Sequence, residues 1–343
     1  MTLNSLGCKI QNLKAEPATS AENLPQHGLH IAPVFCSAIR VSIIIKAIMI
    51  WNKFLTAVLF AAAVLTLSCS KDVSHGAIDD NSVAKQLSNV SYGSDAAHVM
   101  DIYLPAGRSL TSTSVMVLIH GGGWTSGDKN DPLFRPFVDS IRRRLPGYAV
   151  FNINYRLSAA PLNLFPAQEE DVQRAMTFIN NKRSEYGISD KFVLVGASAG
   201  AHLAMLQAYK YAVPLKPRAV VSFFGPADLI DMYNNPVGGN TLISLTLAAT
   251  IGKTPAQDPA IYSSSSPITY ISNSNAVPTM LLHGGLDPLV SPQQSVAVKN
   301  KLTLVGIANE YVFYANAGHG DWNSSTYTDA FNKIAAFLAK HVP

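Results

Sequence analysis

A serine with glycine two residues away on either side, Gly196-Ala197-Ser198-Ala199-Gly200, follows one apolar run and opens another. This pentapeptide limits the possible fold more than any other feature of the chain. Residues 192–195 (Phe-Val-Leu-Val) have the length and composition of a buried strand, and residues 199–211 read as a helix. A strand that becomes a helix across one residue must pass through a sharp, strained turn. Side chains two residues before and after the serine would collide there, so both positions are Gly. The turn lifts the Ser198 hydroxyl clear of the sheet, and the helix N-terminus behind it favours developing negative charge. Ser198 is thus the candidate nucleophile. An ordinary small-residue strand–helix turn has the same local pattern, so the assignment needs partners elsewhere in the chain.

The rest of the chain alternates in the same way. Strands are predicted over residues 87–92 and 99–104 as an opening hairpin, then over 115–120, 149–155, 219–224, 279–283 and 311–314. Helices are predicted over 167–186, 292–304 and 327–340. Short apolar strands separated by helices imply an α/β chain with a mostly parallel sheet covered on both faces. Hydrophobic residues make up 48% of the chain and charged ones 14%, enough to fill such a core. Between residues 229 and 268 the alternation breaks into an apolar helical run and a serine cluster. That stretch reads as a lid-like insertion after the sixth strand, over the strand ends.

Partners for Ser198 can be found by chemistry and chain order. His120-Gly121-Gly122-Gly123-Trp124 ends the predicted strand 115–120. Acyl transfer passes through a tetrahedral oxyanion that backbone N–H groups must approach closely. Glycines permit that approach, and the Ala199 N–H completes the cradle. His120 itself is expected to hold this loop by hydrogen bonds. In a serine elbow of this type the acid and then the histidine follow the serine. His202 lies too close in sequence to reach Ser198, His341 sits at the C-terminus, and His283 ends a strand. His319, in the small-residue loop Ala317-Gly318-His319-Gly320, is the candidate base. Among Asp228, Asp231, Asp258, Asp287 and Glu310, Asp287 follows a strand end at the right stage, with Asp228 as runner-up. Its role would be to orient the imidazole.

Other chemistries lack their residues. Gly252-Lys253-Thr254 imitates the end of a phosphate loop, but the required earlier glycine is Leu247. There is no His-Glu-x-x-His pattern, and no cofactor or metal is expected. All three cysteines (Cys8, Cys36 and Cys69) precede the predicted catalytic region, which excludes a thiolate nucleophile there. The formal net charge is +4 and the basic residues are scattered. The run Arg142-Arg143-Arg144 reads as a solvated helix end, not a nucleic-acid surface.

The N-terminal region reads as an address. From Met49 a short basic segment precedes an apolar stretch over 54–67, then Ser68-Cys69-Ser70-Lys71-Asp72. The pattern resembles a bacterial lipoprotein signal, which implies lipidation of Cys69 and an exported, membrane-anchored protein at the periplasm or cell surface. Thr66 departs from the residue usual at that place in such signals, and a plain signal anchor is the alternative. The expected organisation is an upstream extension from a misassigned start over 1–48, the signal over 49–69, a tether over 70–86 and the catalytic domain over 87–343.

The stretch His120-Gly-Gly-Gly-Trp-Thr-Ser-Gly-Asp-Lys129, together with Asn154-Tyr155-Arg156-Leu157, Phe165-Pro166-Ala167, Asp171-Val172 and residues 195–203, resembles the hormone-sensitive-lipase and feruloyl or acetyl-xylan esterase (BD-FAE-like) branch of the α/β-hydrolases. The likeness covers about residues 87–340. It implies a serine carboxylesterase forming an acyl-enzyme, with Gly122, Gly123 and Ala199 as oxyanion donors and Tyr155 and Arg156 in structural roles. Polysaccharide-linked acetyl or feruloyl esters are one expected substrate class. An amidase, such as a formamidase, or an exopeptidase on the same fold is the alternative activity. A glycan-binding module with an inactive site is a third reading, disfavoured by the intact Ser, His, Asp and glycine elements.

Overall fold

The computed structural model describes residues 80–132 and 134–343, all within the unit His75–Pro343. The expected upstream extension, the signal with Cys69 and most of the tether lie outside the described residues.

An eight-stranded sheet runs through the domain in the order β1-β2-β4-β3-β5-β6-β7-β8. The strands are β1 (Lys85–Ser91), β2 (Val99–Leu104), β3 (Val115–Ile119), β4 (Ala149–Ile153), β5 (Phe192–Ala197), β6 (Ala219–Phe223), β7 (Thr279–Gly284) and β8 (Asn309–Tyr314). β1 and β2 form an antiparallel hairpin, and β2 pairs antiparallel with β4. From β4 through β8 every pairing is parallel. This is the α/β-hydrolase architecture that the sequence resemblance implied.

Strands β3, β4, β6 and β7 are buried along their whole length. Both faces are therefore covered, and the two-residue side-chain period sorts each strand between two cores. Val117 and Ile119 join Phe151 and Leu194 on one face, packed by the helices Ala167–Asn181, Ala199–Lys210 and Pro292–Leu304. Met116 and Leu118 join Val195 and Phe223 on the other, packed by the helices Arg135–Arg144 and Ser324–His341. Val172, Met176 and Ile179 recur at helical spacing and are wholly buried. Each such side chain contributes roughly 1.5–3 kcal/mol on leaving water.

Two helix boundaries differ from the sequence expectation, each for a local reason. The helix expected over 167–186 breaks at Lys182, whose N–H bonds to Phe178 O and Ile179 O and tightens the last turn. A short helix, Arg183–Tyr186, follows and ends at Gly187, which is left-handed with φ 61°. The last helix starts at Ser324 rather than near 327. The Asn323 side chain accepts from the Thr326 N–H and so supplies a cap that apolar periodicity does not reveal.

The region after β6 holds the helices Leu229–Asn234, Thr241–Ile251 and Pro259–Ser264. Among the described residues no helix is long and apolar enough to cross a membrane.

A buried ionic cluster ties the hairpin to the first long helix. Asp171 is fully buried and faces His98 Nε2 at 2.8 Å. It also accepts from the Arg156 N–H at 2.8 Å and from both Nε and Nη2 of the same guanidinium. Glu170, beside it, meets Arg156 at 3.4 Å in solvent. Removing one partner of a buried pair strands the other charge, whereas a solvated pair contributes little. Asp171→Ala should therefore lower the unfolding free energy by about 3–5 kcal/mol, and Glu170→Ala by under about 0.5 kcal/mol, as read from denaturant midpoints at constant m-value.

Candidate active site

The loops after β3, β5, β7 and β8 converge at the C-terminal edge of the sheet. Ser198 sits between β5 and the helix Ala199–Lys210 at φ 54°, ψ −122°, a conformation costly for a residue with a Cβ. Its N–H donates to Phe223 O at 2.9 Å, which pins the turn to β6. A Cβ at Gly196 would lie 2.3 Å from the Gly200 carbonyl. At Gly200 it would lie 2.1 Å from Ile119 O and 2.4 Å from His120 O. The second glycine is thus required mainly by the end of β3, where the glycine loop begins.

The loop after β8 brings His319 to the serine. His319 Nε2 lies 2.9 Å from Ser198 Oγ, and its Nδ1 lies 2.7 Å from Asp287 Oδ2. A carboxylate can only accept, so Nδ1 carries the proton and Nε2 presents a lone pair to the serine hydroxyl. Trp322 Nε1 donates to Gly318 O at 2.8 Å and Tyr327 Oη to Gly320 O at 2.7 Å, fixing the loop on both sides of the imidazole. Phe224, left-handed at φ 42°, sets its ring 4.6 Å from the imidazole.

Asp287 is buried at the head of the loop after β7. Burial pushes its carboxyl up, but hydrogen bonds from His283 and His319, the His319 charge and the Val290 N–H outweigh it. The net effect holds Asp287 far below the usual carboxylate range. Oδ1 takes the N–H groups of Leu289 and Val290, each at 2.9 Å. His283 Nε2 stands 3.3 Å from Oδ2 and 2.9 Å from Val290 O, while its Nδ1 meets Ser295 Oγ at 2.8 Å. His283 therefore supports the loop that carries Asp287. The His283–Asp287 spacing was visible in the sequence, but their contact was not. Asp228 and Asp258 instead cap helices, accepting from Ile230 and Asp231 and from Ile261.

The glycine loop wraps the other side of Ser198. A Cβ at Gly121 would lie 3.2 Å from the Ser198 Cβ. Gly122 adopts φ 109°, and a Cβ there would lie 2.0 Å from Ser126 O, so no other residue fits. Among the described residues, the N–H groups of Gly122, Gly123 and Ala199 donate to no protein acceptor. His120 is buried, and burial lowers its pKa; its Nδ1 meets Gly121 O at 2.7 Å. Tyr155 Oη donates to His120 O at 3.0 Å and its ring stacks on the imidazole.

His202, which sequence reasoning only set aside as a base, links this loop to the insertion. It is fully buried, and burial pushes its pKa down to about 4. Trp124 Nε1 donates to its Nδ1 at 3.2 Å, and its Nε2–H donates to Ser265 O at 2.7 Å. Only the neutral ring can make both bonds. The uncharged helix Thr241–Ile251 lies beside the same loop, with Thr246 Cγ2 4.0 Å from the site of a Cβ on Gly123. Its Leu242 and Leu245 are exposed. Gly252, part of the false phosphate-loop pattern, ends this helix in the left-handed region, and Lys253 pairs with Asp258.

Known proteins share this arrangement of sequence and fold. The BD-FAE family model matches residues 100–302. Esterase LipQ of Mycobacterium tuberculosis is 30% identical over 69% of this chain and 57% of its own length. A solved bifunctional GH43-CE protein of Bacteroides eggerthii is 28% identical, with a TM-score of 0.65, over 77% of this chain and 38% of that one. A truncated carbohydrate esterase from gut microbiota, at 24% identity and a TM-score of 0.60, shares the fold over 75% of this chain and 98% of its own. The chain thus spans little more than half the length of its curated relative. With the family model covering more than half of its residues, the chain belongs to the BD-FAE family.

Proposed function

We propose that the protein is a serine carboxylic ester hydrolase. The observation that carries this reading is the unbroken hydrogen-bonded line from Ser198 Oγ through His319 to Asp287. In the proposed reaction, Ser198 attacks the ester carbonyl while His319 Nε2 takes its proton. The N–H groups of Gly122, Gly123 and Ala199 hold the oxyanion. His319 then protonates the departing alcohol, and water repeats the sequence on the acyl-enzyme. Asp287 stays ionised throughout and stabilises the imidazolium.

Acyl groups on carbohydrate, acetyl or feruloyl, are the proposed substrates. The Bacteroides GH43-CE relative supports this reading, as does an insertion beside the glycine loop that can act as a substrate wall. Lipid anchoring through Cys69, with export to the periplasm or cell surface, rests on the sequence pattern alone. Mass spectrometry of the mature protein tests it, and an intact peptide from residues 1–48 would rule it out.

Ser198→Ala should keep the fold and lose about 10⁵-fold or more in kcat on a p-nitrophenyl acyl ester. Undiminished turnover by this variant overturns the assignment. A parallel assay on the matching anilide separates esterase from amidase, and the ester should be turned over far faster. Asp287→Asn should cost about 10⁴-fold in kcat, because the amide can turn the imidazole into the wrong tautomer. With Asp287 held ionised well into acid, protonation of His319 alone should stop the wild-type reaction. The acid limb of log kcat/KM against pH should therefore have a slope of about one, and a slope of two would show that a second group matters.

A further inference from the structure

His202 is wholly buried one turn beyond Ser198, on the helix that Ser198 opens, and has no part in the reaction proposed above. Its backbone N–H donates to Ser198 O at 3.0 Å, which fixes the imidazole relative to the serine backbone. Each ring nitrogen has a partner from a different segment: Trp124 Nε1 donates to Nδ1, and Nε2 donates to Ser265 O. The Phe165 ring, with its centroid 5.6 Å away, closes a further side.

Ser265 is a fixed point. Its N–H donates to Ile261 O at 2.9 Å. The next residue, Ser266, accepts from the Leu229 N–H at 2.9 Å and donates to Tyr262 O at 2.7 Å. Trp124 is the strained partner. Gly122, Gly123 and Trp124 lie in succession at φ 109°, 59° and 62°. A tryptophan rarely adopts that conformation, and it persists only where its surroundings hold it. Gly122 O accepts from the N–H groups of Thr125 and Ser126 and from Ser126 Oγ, bonds that close the glycine loop on itself. The Ser158 N–H holds Trp124 O at 2.8 Å, and His202 holds the buried indole. Among the described residues, the bond from Trp124 Nε1 is the side-chain hydrogen bond that ties this loop to the helix after Ser198.

The N–H groups of Gly122 and Gly123 belong to one segment and that of Ala199 to another. An oxyanion needs donors from both at hydrogen-bond distance at the same moment, and a displacement of about 1 Å can cost about a hundredfold in rate. The His202–Trp124 bond spans the gap between the two segments.

We propose that His202 is a positioning residue: through the Trp124 indole it sets the glycine loop at working distance from Ser198 and the Ala199 N–H. This inference deepens the esterase reading and rests on it. The oxyanion forms only on the way to the transition state, so His202 acts on the rate and not on binding of the ester.

Two substitutions separate the two bonds of the ring. Asn puts an amide oxygen near the place of Nδ1 and keeps an acceptor for Trp124. Gln reaches the place of Nε2 and keeps only the bond to Ser265 O. His202→Gln should lower kcat/KM on a p-nitrophenyl ester about tenfold or more. The affinity of a trifluoromethyl ketone should fall by the same factor. Ser198 Oγ adds to that ketone, its proton passes to His319 and the carbonyl electron pair becomes an oxyanion, so the complex reports the cradle without turnover. Binding of the intact ester to the Ser198→Ala protein should be unchanged when His202→Gln is added. His202→Asn should keep most of the wild-type rate. Trp124→Phe, which deletes the donor and keeps a ring, should match His202→Gln and decides the question if that variant does not fold. Wild-type rate and ketone affinity in Trp124→Phe, equal losses in the Asn and Gln variants, or a loss confined to ester binding would overturn the proposal while wild-type turnover stood. A wild type without Ser198-dependent turnover would instead overturn the esterase reading, and this inference with it.

Discussion

The approach of two backbones at the Ser198 turn governs the arrangement around it. Gly200 lies so close to Ile119 O and His120 O that no side chain fits between them. That contact joins the end of β5 to the end of β3 and sets the glycine loop against Ser198. The strain at Ser198, held at φ 54°, persists because the parallel pairing of β3, β5 and β6 fixes both ends of the turn. A hydroxyl lifted clear of the sheet and a row of N–H groups beside it that find no protein acceptor among the described residues are two results of one packing constraint.

Histidine is used at this edge in three electrostatic settings. His319, only partly exposed, spans a hydroxyl and a carboxylate. His283 is buried and braces the Asp287 loop against Ser295 and Val290. His202 is kept neutral by burial and joins the glycine loop to the insertion through Trp124 and Ser265. One side-chain type thus serves as the proposed base, as a support for the proposed acid and as a clamp on the glycine loop. Burial and partners decide the role in each case. The clamp also couples the insertion, the proposed substrate wall, to the loop proposed to hold the oxyanion.

Much of this was legible in the chain. The glycines around Ser198 and the triple glycine after His120 reflect local sterics, and local sterics are written in residue type. The order serine, acid, histidine left few candidates for each partner, and the loop Ala317-Gly318-His319-Gly320 was distinctive. Helix ends were less legible where a single side chain set them, as with Asn323. The contacts of His202 and the left-handed Phe224 carried no sequence signal, because each depends on neighbours far away in the chain.

By itself, the sequence determined the alternation of strand and helix, the elbow serine and the identities of its candidate partners, since each follows from side-chain size, period or chain order. Tertiary structure decided which atoms meet. It brought Asp287, not Asp228, to the imidazole and made Gly200 answer to β3. The reason is physical: a contact between distant residues depends on how whole elements pack, and residue identity alone does not encode that distance.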